Sequence, residues 1–253
     1  MFQTSDLLTV IMHVFLFFLV PTAFAQPACD AHFRLFLDHT YFQICYDPAL
    51  KAPVWTRYEL RPEHLAASAP RSSAFRRDPL LASPSASNAD FRLSGFSRGH
   101  LIPAADFAWS EPAFSATFIL SNVVAQRQSV NAGLWRKLEN AVRRIAAASD
   151  SVSIFTGPLF GSANLEYIGP GRVAVPTHTY KVILAVKGKH MLMFAAIIPN
   201  EVSLAGPINR FAVTVDEVER RSGLDFFSAL DDATEDSLEA AVELFPEKQV
   251  SPR

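Results

Sequence analysis

The chain has 253 residues, of which 49% are hydrophobic, 19% are charged and 21 are phenylalanine. This composition excludes general disorder and provides enough apolar side chains for one large domain or two small ones. The formal net charge of −2 excludes a basic field over the whole surface, so any contact with nucleic acid must use a local patch.

The N-terminal region resembles a secretory signal. Residues 7–20 contain no Asp, Glu, Lys or Arg, and this run is too short to span a membrane comfortably, which takes about 20 residues. Residues 23–25 read Ala-Phe-Ala, a small-x-small cleavage pattern. We therefore predict a signal peptide at 1–25, a mature domain at 26–253 with no membrane association, and a secreted or periplasmic location. An uncleaved anchor is the alternative, because the region before the apolar run lacks a basic residue.

Cys29 and Cys45 are the two cysteines of the chain. In an oxidising compartment such a pair is readily a disulfide, and closing a loop of about 15 residues stabilises a fold by roughly 3 kcal/mol in the chain-entropy model. Two unlinked buried thiols are the alternative. Cysteine and histidine do not recur at zinc-binding spacing, so a structural zinc is not predicted.

Two stretches of alternating apolar residues, 42–46 and 54–60, predict strands, with turns at Asp47-Pro48 and Ala52-Pro53. Residues 64–88 are rich in Ala, Ser and Pro, and predict a long surface connection.

The clearest predicted helix covers residues 131–148, where Leu134, Leu138, Val142 and Ile145 recur at helical spacing. Ser129 or Asn131 is the predicted cap of this helix. Further strands and two C-terminal helical regions are predicted as follows: strands at 151–156, 172–175, 180–186 and 191–198, and helices at 215–223 and 237–244.

Charge is distributed unevenly along the chain. Residues 57–150 contain 12 basic and 8 acidic side chains, a net of +4, whereas residues 216–247 contain 2 basic and 11 acidic side chains, a net of −9. This asymmetry is expected if a polyanion meets the first segment. Ordinary solvated helix faces are an equally simple reading of the acidic end.

Three polar residues have the chemistry that phosphodiester hydrolysis requires. A neutral His100 can take a proton from water, the Asn131 carboxamide can bind a hard divalent ion, and the Glu139 carboxylate can hold water bound to that ion. Each also has a simpler reading: a loop histidine, a helix cap and a solvated helix carboxylate. Trp135, between the last two, is expected to pack rather than to catalyse.

Several motifs occur in an order that resembles one known family. Ser97-Arg98-Gly99-His100 resembles the Asp-Arg-Gly-His signature of the DNA/RNA non-specific endonucleases, the ββα-metal nucleases that include endonuclease G and secreted bacterial nucleases. The likeness covers nearly all of the predicted mature chain, through these further positions: 101–106, 120–122, Gln126, Asn131, Trp135, Leu138-Glu139, 155–158, 175–181 and 222–227.

The resemblance implies a single α+β domain, with a central antiparallel sheet flanked by helices and a ββα-metal (His-Me finger) active site. His100 would be the general base and Asn131 the one direct ligand of Mg²⁺, with Mn²⁺ as a substitute. Glu139 would orient metal-bound water, and Arg98 would contact the scissile phosphate. The substrates would be DNA and RNA, without strong sequence preference, and the products would carry 5′-phosphates.

Further positions follow from the same resemblance. Asn122 matches an active-site asparagine, Gln126 a neighbouring polar position that contacts substrate, and Arg143 a phosphate contact. The family has one more substrate arginine near Arg71, Arg76 and Arg77, of which Arg77 is our assignment. Two residues of the 175–181 motif, His178 and Lys181, are expected to be structural.

The chain departs from the family at Ser97, where an aspartate is usual. Loss of that charge is expected to weaken the positioning of Arg98 or of the metal's water shell. Three hypotheses therefore stand: a nuclease, a nuclease-like protein that binds nucleic acid without cutting it, and a phosphodiesterase for smaller substrates.

Overall fold

A computed structural model describes residues 26–29, 34–65, 74–82, 84–161, 164–202 and 204–246. The predicted signal peptide and Arg71 lie outside these residues. Within them, no helix is both long enough and apolar enough to cross a membrane.

Eleven strands form within the described residues, and seven of them build one antiparallel sheet in the order β1-β2-β3-β6-β9-β10-β11. The pairs β4-β5 and β7-β8 form separate two-stranded ribbons. The strands are β1 Leu35–Asp38, β2 Gln43–Asp47, β3 Ala52–Leu60, β4 Ser97–His100, β5 Val123–Gln126, β6 Ser151–Leu159, β7 Tyr167–Ile168, β8 Val173–Ala174, β9 His178–Lys187, β10 His190–Pro199 and β11 Ala212–Val213.

Helices cover both faces of the large sheet, which confirms the predicted α+β architecture. They are α1 Asn88–Phe91, α2 Glu111–Ala116, α3 Gln128–Val130, α4 Arg136–Ala148, α5 Val215–Ser222 and α6 Asp232–Glu239, together with 3₁₀ turns at Pro62–Leu65, Ala104–Phe107, Leu120–Asn122 and Ile208–Phe211. The apolar stripe of α4 packs on the face that carries Ile154 and Ile183. Helix α5 packs on the opposite face, with Phe155 and Val182.

The predicted helix at 131–148 is not straight. A wide π-helical turn, Asn131–Trp135, precedes α4, and Gly133 within it has non-helical angles (φ −102°, ψ −105°). Neither Ser129 nor Asn131 caps the helix, because helical structure already begins at Gln128. Because the helix is kinked at Gly133, the angle between the Asn131 and Glu139 side chains differs from the value that an ideal helix would give.

Two other predicted boundaries are wrong. Ala52-Pro53 is not a turn but the start of β3, where Pro53 pairs with Tyr46 beside a bulge. The predicted helix at 237–244 is instead α6, eight residues that end at Glu239. It starts early because the Asp231 side chain accepts a hydrogen bond from Thr234 N, which caps the helix.

The predicted disulfide between Cys29 and Cys45 is present, with Cα atoms 5.7 Å apart. Cys45 is fully buried in β2, next to Trp55 of the neighbouring strand. The bridge therefore ties the start of the described chain to the sheet.

Candidate active site

A ββα unit is formed by the β4-β5 ribbon and α4. Ser97 pairs with Gln126, and His100 pairs with Val123 at the other end of the ribbon. The Trp135 indole Nε1 donates a hydrogen bond to the His100 carbonyl oxygen at 3.0 Å. This bond joins the helix side of the unit to the strand that carries the histidine.

His100 lies against two aromatic rings. The centroids of Phe75 and Phe118 are 4.8 and 4.9 Å from the imidazole. Burial, and secondarily the Arg98 guanidinium, lower the pKa of His100 to about 4. Its Nε2 atom is buried and has no hydrogen-bond partner among the described residues. At neutral pH the ring is therefore uncharged, which is the form that a general base requires.

His100, Asn131 and Glu139 line one cleft of about 260 Å³. The exposed Arg136 also lines it, and sequence reasoning did not select this residue, although its spacing of three from Glu139 on α4 was an available signal. No hydrogen bond joins the side chain of Asn131 or Glu139 to another described residue. An unpaired carboxamide oxygen and carboxylate fit a hard divalent ion, which prefers oxygen ligands.

A network of buried charges supports this cleft. Burial raises the pKa of Glu139, while Lys181 and, more weakly, Arg143 act in the opposite direction. Lys181 is fully buried, and its Nζ donates to Thr156 Oγ1 at 2.7 Å and to Leu101 O at 3.4 Å. Lys181 was expected to be structural. Its buried positive charge also acts on Glu139, and its Nζ contacts the loop that follows His100.

Arg143, predicted as a phosphate contact, is already paired. Its Nη1 lies 2.6 Å from Oδ1 of Asp106, whose Oδ2 accepts a hydrogen bond from Tyr58 at 2.7 Å. Asp106 is almost fully buried, whereas the Arg143 side chain is 21% exposed. The guanidinium therefore neutralises a buried carboxylate first, and any phosphate would have to compete with that pair.

Two polar residues predicted at the site do not face the cleft. Asn122 is fully buried, and its amide binds main-chain atoms of Ile102 and Thr117 at 2.9–3.0 Å. Asn122 thus positions the loop after His100 rather than touching substrate. Gln126 is also fully buried, and packs so closely on Gly99 that an added Cβ there would lie 2.5 Å from Gln126 Oε1. The catalytic role predicted for Asn122 and the substrate contact predicted for Gln126 therefore stay predictions, and in this structure both side chains are buried away from the cleft.

Arg98 is held beside the cleft by contacts other than the aspartate usual in the family. Its Nη1 donates to Asn88 Oδ1 at 2.9 Å, and its guanidinium lies 4.9 Å from the Phe75 ring centroid. The Ser97 hydroxyl donates a hydrogen bond to Gln128 Oε1 rather than to a partner of Arg98. Arg98 and Ser97 line a groove of about 590 Å³.

The two described arginines of the 64–88 connection are exposed. Arg76 donates to the Ser115 carbonyl at 2.7 Å and Arg77 to that of Ala82 at 2.6 Å. Arg77 lines a pocket with Asn88, which in turn binds Arg98. The phosphate contact predicted for Arg77 would therefore be made in this neighbouring pocket and not in the cleft of His100.

Comparison with known proteins agrees with this geometry. A model of the DNA/RNA non-specific endonuclease family matches residues 21–233. Human mitochondrial endonuclease G is 40% identical over 198 residues, which cover 73% of this chain and 67% of that protein. Nuclease C1 of Cunninghamella echinulata var. echinulata is 36% identical over 228 residues, covering 82% and 88%. A crystal structure of an EndoG/EndoGI complex, described as showing the mechanism of EndoG inhibition, aligns with a TM-score of 0.73 and 33% identity, covering 78% of this chain and 86% of the other.

The chain spans about two thirds of the length of endonuclease G. The predicted secreted or periplasmic location is wrong, because several relatives of the chain are mitochondrial nucleases. The family match and these relatives lead to one conclusion: this chain belongs to the DNA/RNA non-specific endonuclease family.

Proposed function

We propose that this chain is a metal-dependent endonuclease that hydrolyses phosphodiester bonds in DNA and RNA, with His100 as general base and Mg²⁺ held by Asn131. The observation that supports this most is that His100, Asn131 and Glu139 line one cleft. Asn131 and Glu139 follow His100 by 31 and 39 positions in the sequence. They meet His100 in the cleft because the end of β4 packs against the kinked helix.

His100 is suited to accept the proton of an attacking water. It is neutral at working pH, and its backbone is fixed by Trp135. Asn131 would hold the ion through its carboxamide oxygen, and Glu139 would orient water in the cleft. When bound, a divalent cation supplies charge stabilisation to the transition state and the leaving oxygen.

Two arginines would act on the phosphate. Arg98 is positioned by Asn88 and Phe75, and Arg136 lies exposed at the cleft wall. Guanidinium groups bind phosphate oxygens through paired N–H donors and do not distinguish bases. Cleavage of both DNA and RNA without strong sequence preference follows from contacts of this kind.

Digestion of plasmid DNA and of RNA tests the proposal. Cleavage should need Mg²⁺ or Mn²⁺, should stop with EDTA and should leave 5′-phosphates. His100→Ala should lower the rate by about 10²–10⁴-fold in a folded protein. His190→Ala, at an exposed position on β10, is the matched control and should leave the rate unchanged.

Because position 97 carries serine where the family usually has aspartate, a second candidate function is to bind nucleic acid without cutting it. The same digestion separates the two. Cleavage by wild type and its loss in His100→Ala supports the nuclease. A salt-sensitive gel shift with no cleavage in any divalent ion supports the binding protein.

A further inference from the structure

A second group of carboxylates lies far from the ribbon and α4. Asp216 and Glu219 on α5, and Glu239 at the end of α6, each place one oxygen atom within 4.8 Å of the other two. Helix α5 packs on the sheet face opposite to α4. This cluster is therefore separated from the cleft of His100 by the sheet itself.

Glu239 is the unusual member of this group. It is 6% exposed, its Oε1 atom is buried, and neither of its oxygens has a hydrogen-bond partner among the described residues. An ionised carboxylate without a partner is costly to bury, so such a group takes up a proton, pairs with a cation or binds a metal ion. The buried, unpartnered side chain that is directed into the cluster is the observation that points to a ligand.

The surroundings supply no compensating cation within the described chain. The charged groups that act on Glu239 are Glu219, Glu235, Asp216 and Asp225, all of which are carboxylates. The nearest basic residue along α5 that forms an ion pair is Arg220, which binds Glu217 on another side of the helix at 2.7 Å. Part of the acidic bias of residues 216–247 is thus concentrated around Glu239, whereas Asp231, Asp232 and Asp236 are exposed to solvent.

Glu219 is held in place by the loop that follows α5. Its Oε1 accepts a hydrogen bond from the main-chain nitrogen of Phe226 at 2.7 Å. Phe226 is fully buried against Phe155 and Tyr180 of the sheet. One ligand of the group is therefore fixed to the core rather than free on the surface.

The ligand set favours one ion over another. Calcium accepts several carboxylates, because it binds about six to eight oxygen atoms in a flexible geometry. Magnesium needs a nearly ideal octahedron, keeps several waters and usually takes only one or two carboxylates. We propose that Asp216, Glu219 and Glu239 form a structural Ca²⁺ site that joins α5 to α6.

Thermal unfolding and titration calorimetry of the full chain, stripped with EDTA and returned to Ca²⁺, test this site. An Asn131→Ala background removes the proposed ligand of the catalytic cleft, so failure of the proposed nuclease site does not affect the result. In that background Ca²⁺ at one hundred times its dissociation constant should raise the melting temperature by about 5 °C or more, with one ion bound per chain.

Asp216→Asn and Glu239→Gln, each added to that background, should abolish the shift. Glu217→Gln is the matched control, since Glu217 lies on the same helix but pairs with Arg220 outside the group. The proposal is overturned if Ca²⁺ does not raise the melting temperature of the Asn131→Ala protein. It is also overturned if Ca²⁺ raises the melting temperatures of Asp216→Asn and Glu239→Gln as much as that of their Asn131→Ala parent.

Discussion

The Trp135 indole and the His100 main-chain carbonyl are joined across the ββα unit by a 3.0 Å hydrogen bond. Trp135 is buried, so the orientation of the strand end that carries His100 depends on a side chain from the opposite part of the unit. The same indole ring lies 5.1 Å from Lys181 Nζ. Trp135 thus contacts both the strand end that carries His100 and the buried Lys181, whose charge acts on Glu139.

Trp135→Phe tests that linkage. Phenylalanine keeps most of the apolar packing but leaves the His100 carbonyl without its donor, which we expect to cost about 1–2 kcal/mol of stability. The cleavage rate should fall further than this loss of folded protein explains, because His100 is then less well held. Urea unfolding and plasmid digestion measure the two effects. Trp109→Phe is the control, since Trp109 is 37% exposed and packs elsewhere, and an equal loss there would contradict the linkage.

The pH dependence of the reaction should reflect the depressed pKa of His100. Because its pKa is about 4, the neutral imidazole persists well below pH 6.5, so protonation of His100 should not lower the rate until the pH nears 4. Since the folded pKa lies below the unfolded one, stability is fully present above about 6.5 and falls as pH drops toward 4. Imidazole NMR titration of the metal-free protein measures this directly.

Phe75→Ala provides the comparison for this titration. The Phe75 ring lies 4.8 Å from the imidazole, and burial is the main cause of the low pKa. Opening this side of the ring to water should move the pKa of His100 upward, toward about 6.5. A titration that is unchanged in Phe75→Ala would show that the Phe75 ring does not set the basicity of His100.

Runs of apolar residues predicted the central strands because both faces of the sheet are covered, and the motif at 97–100 identified His100. Contacts made only by tertiary packing escaped prediction. Phe75 lies in a connection that composition marks as solvated, yet its ring covers His100. Gln126 and Arg143 have polar groups that can bind phosphate. Gln126 is instead buried against Gly99, and Arg143 forms an ion pair with Asp106. A sequence pattern does not say which partner a polar side chain meets first.

Lys181→Met should impair the metal site without touching it. The substitution removes the buried positive charge that opposes the raised pKa of Glu139. Glu139 should then hold a proton more strongly, so half-maximal cleavage should require several-fold more Mg²⁺. Loss of a buried charge partner should also lower stability by about 3 kcal/mol.

Lys187→Met is the matched control for that variant. Lys187 ends the same strand, β9, and is exposed, so both properties should stay near wild type. The Mg²⁺ dependence of digestion and a urea melt give the two readouts. An unchanged Mg²⁺ requirement in Lys181→Met would show that Lys181 serves stability alone.

Ser97→Asp restores the residue usual in the family and measures what its absence costs. Ser97 now binds Gln128, and Arg98 depends on Asn88 and Phe75 for its position. A carboxylate beside Arg98 can form a charge-assisted bond, which is stronger than a neutral one by about 1 kcal/mol. We therefore expect the cleavage rate to rise about fivefold at saturating Mg²⁺. Ser97→Asn, with similar shape and no charge, should give no such gain, and an equal rise in both variants would assign the effect to size rather than to charge.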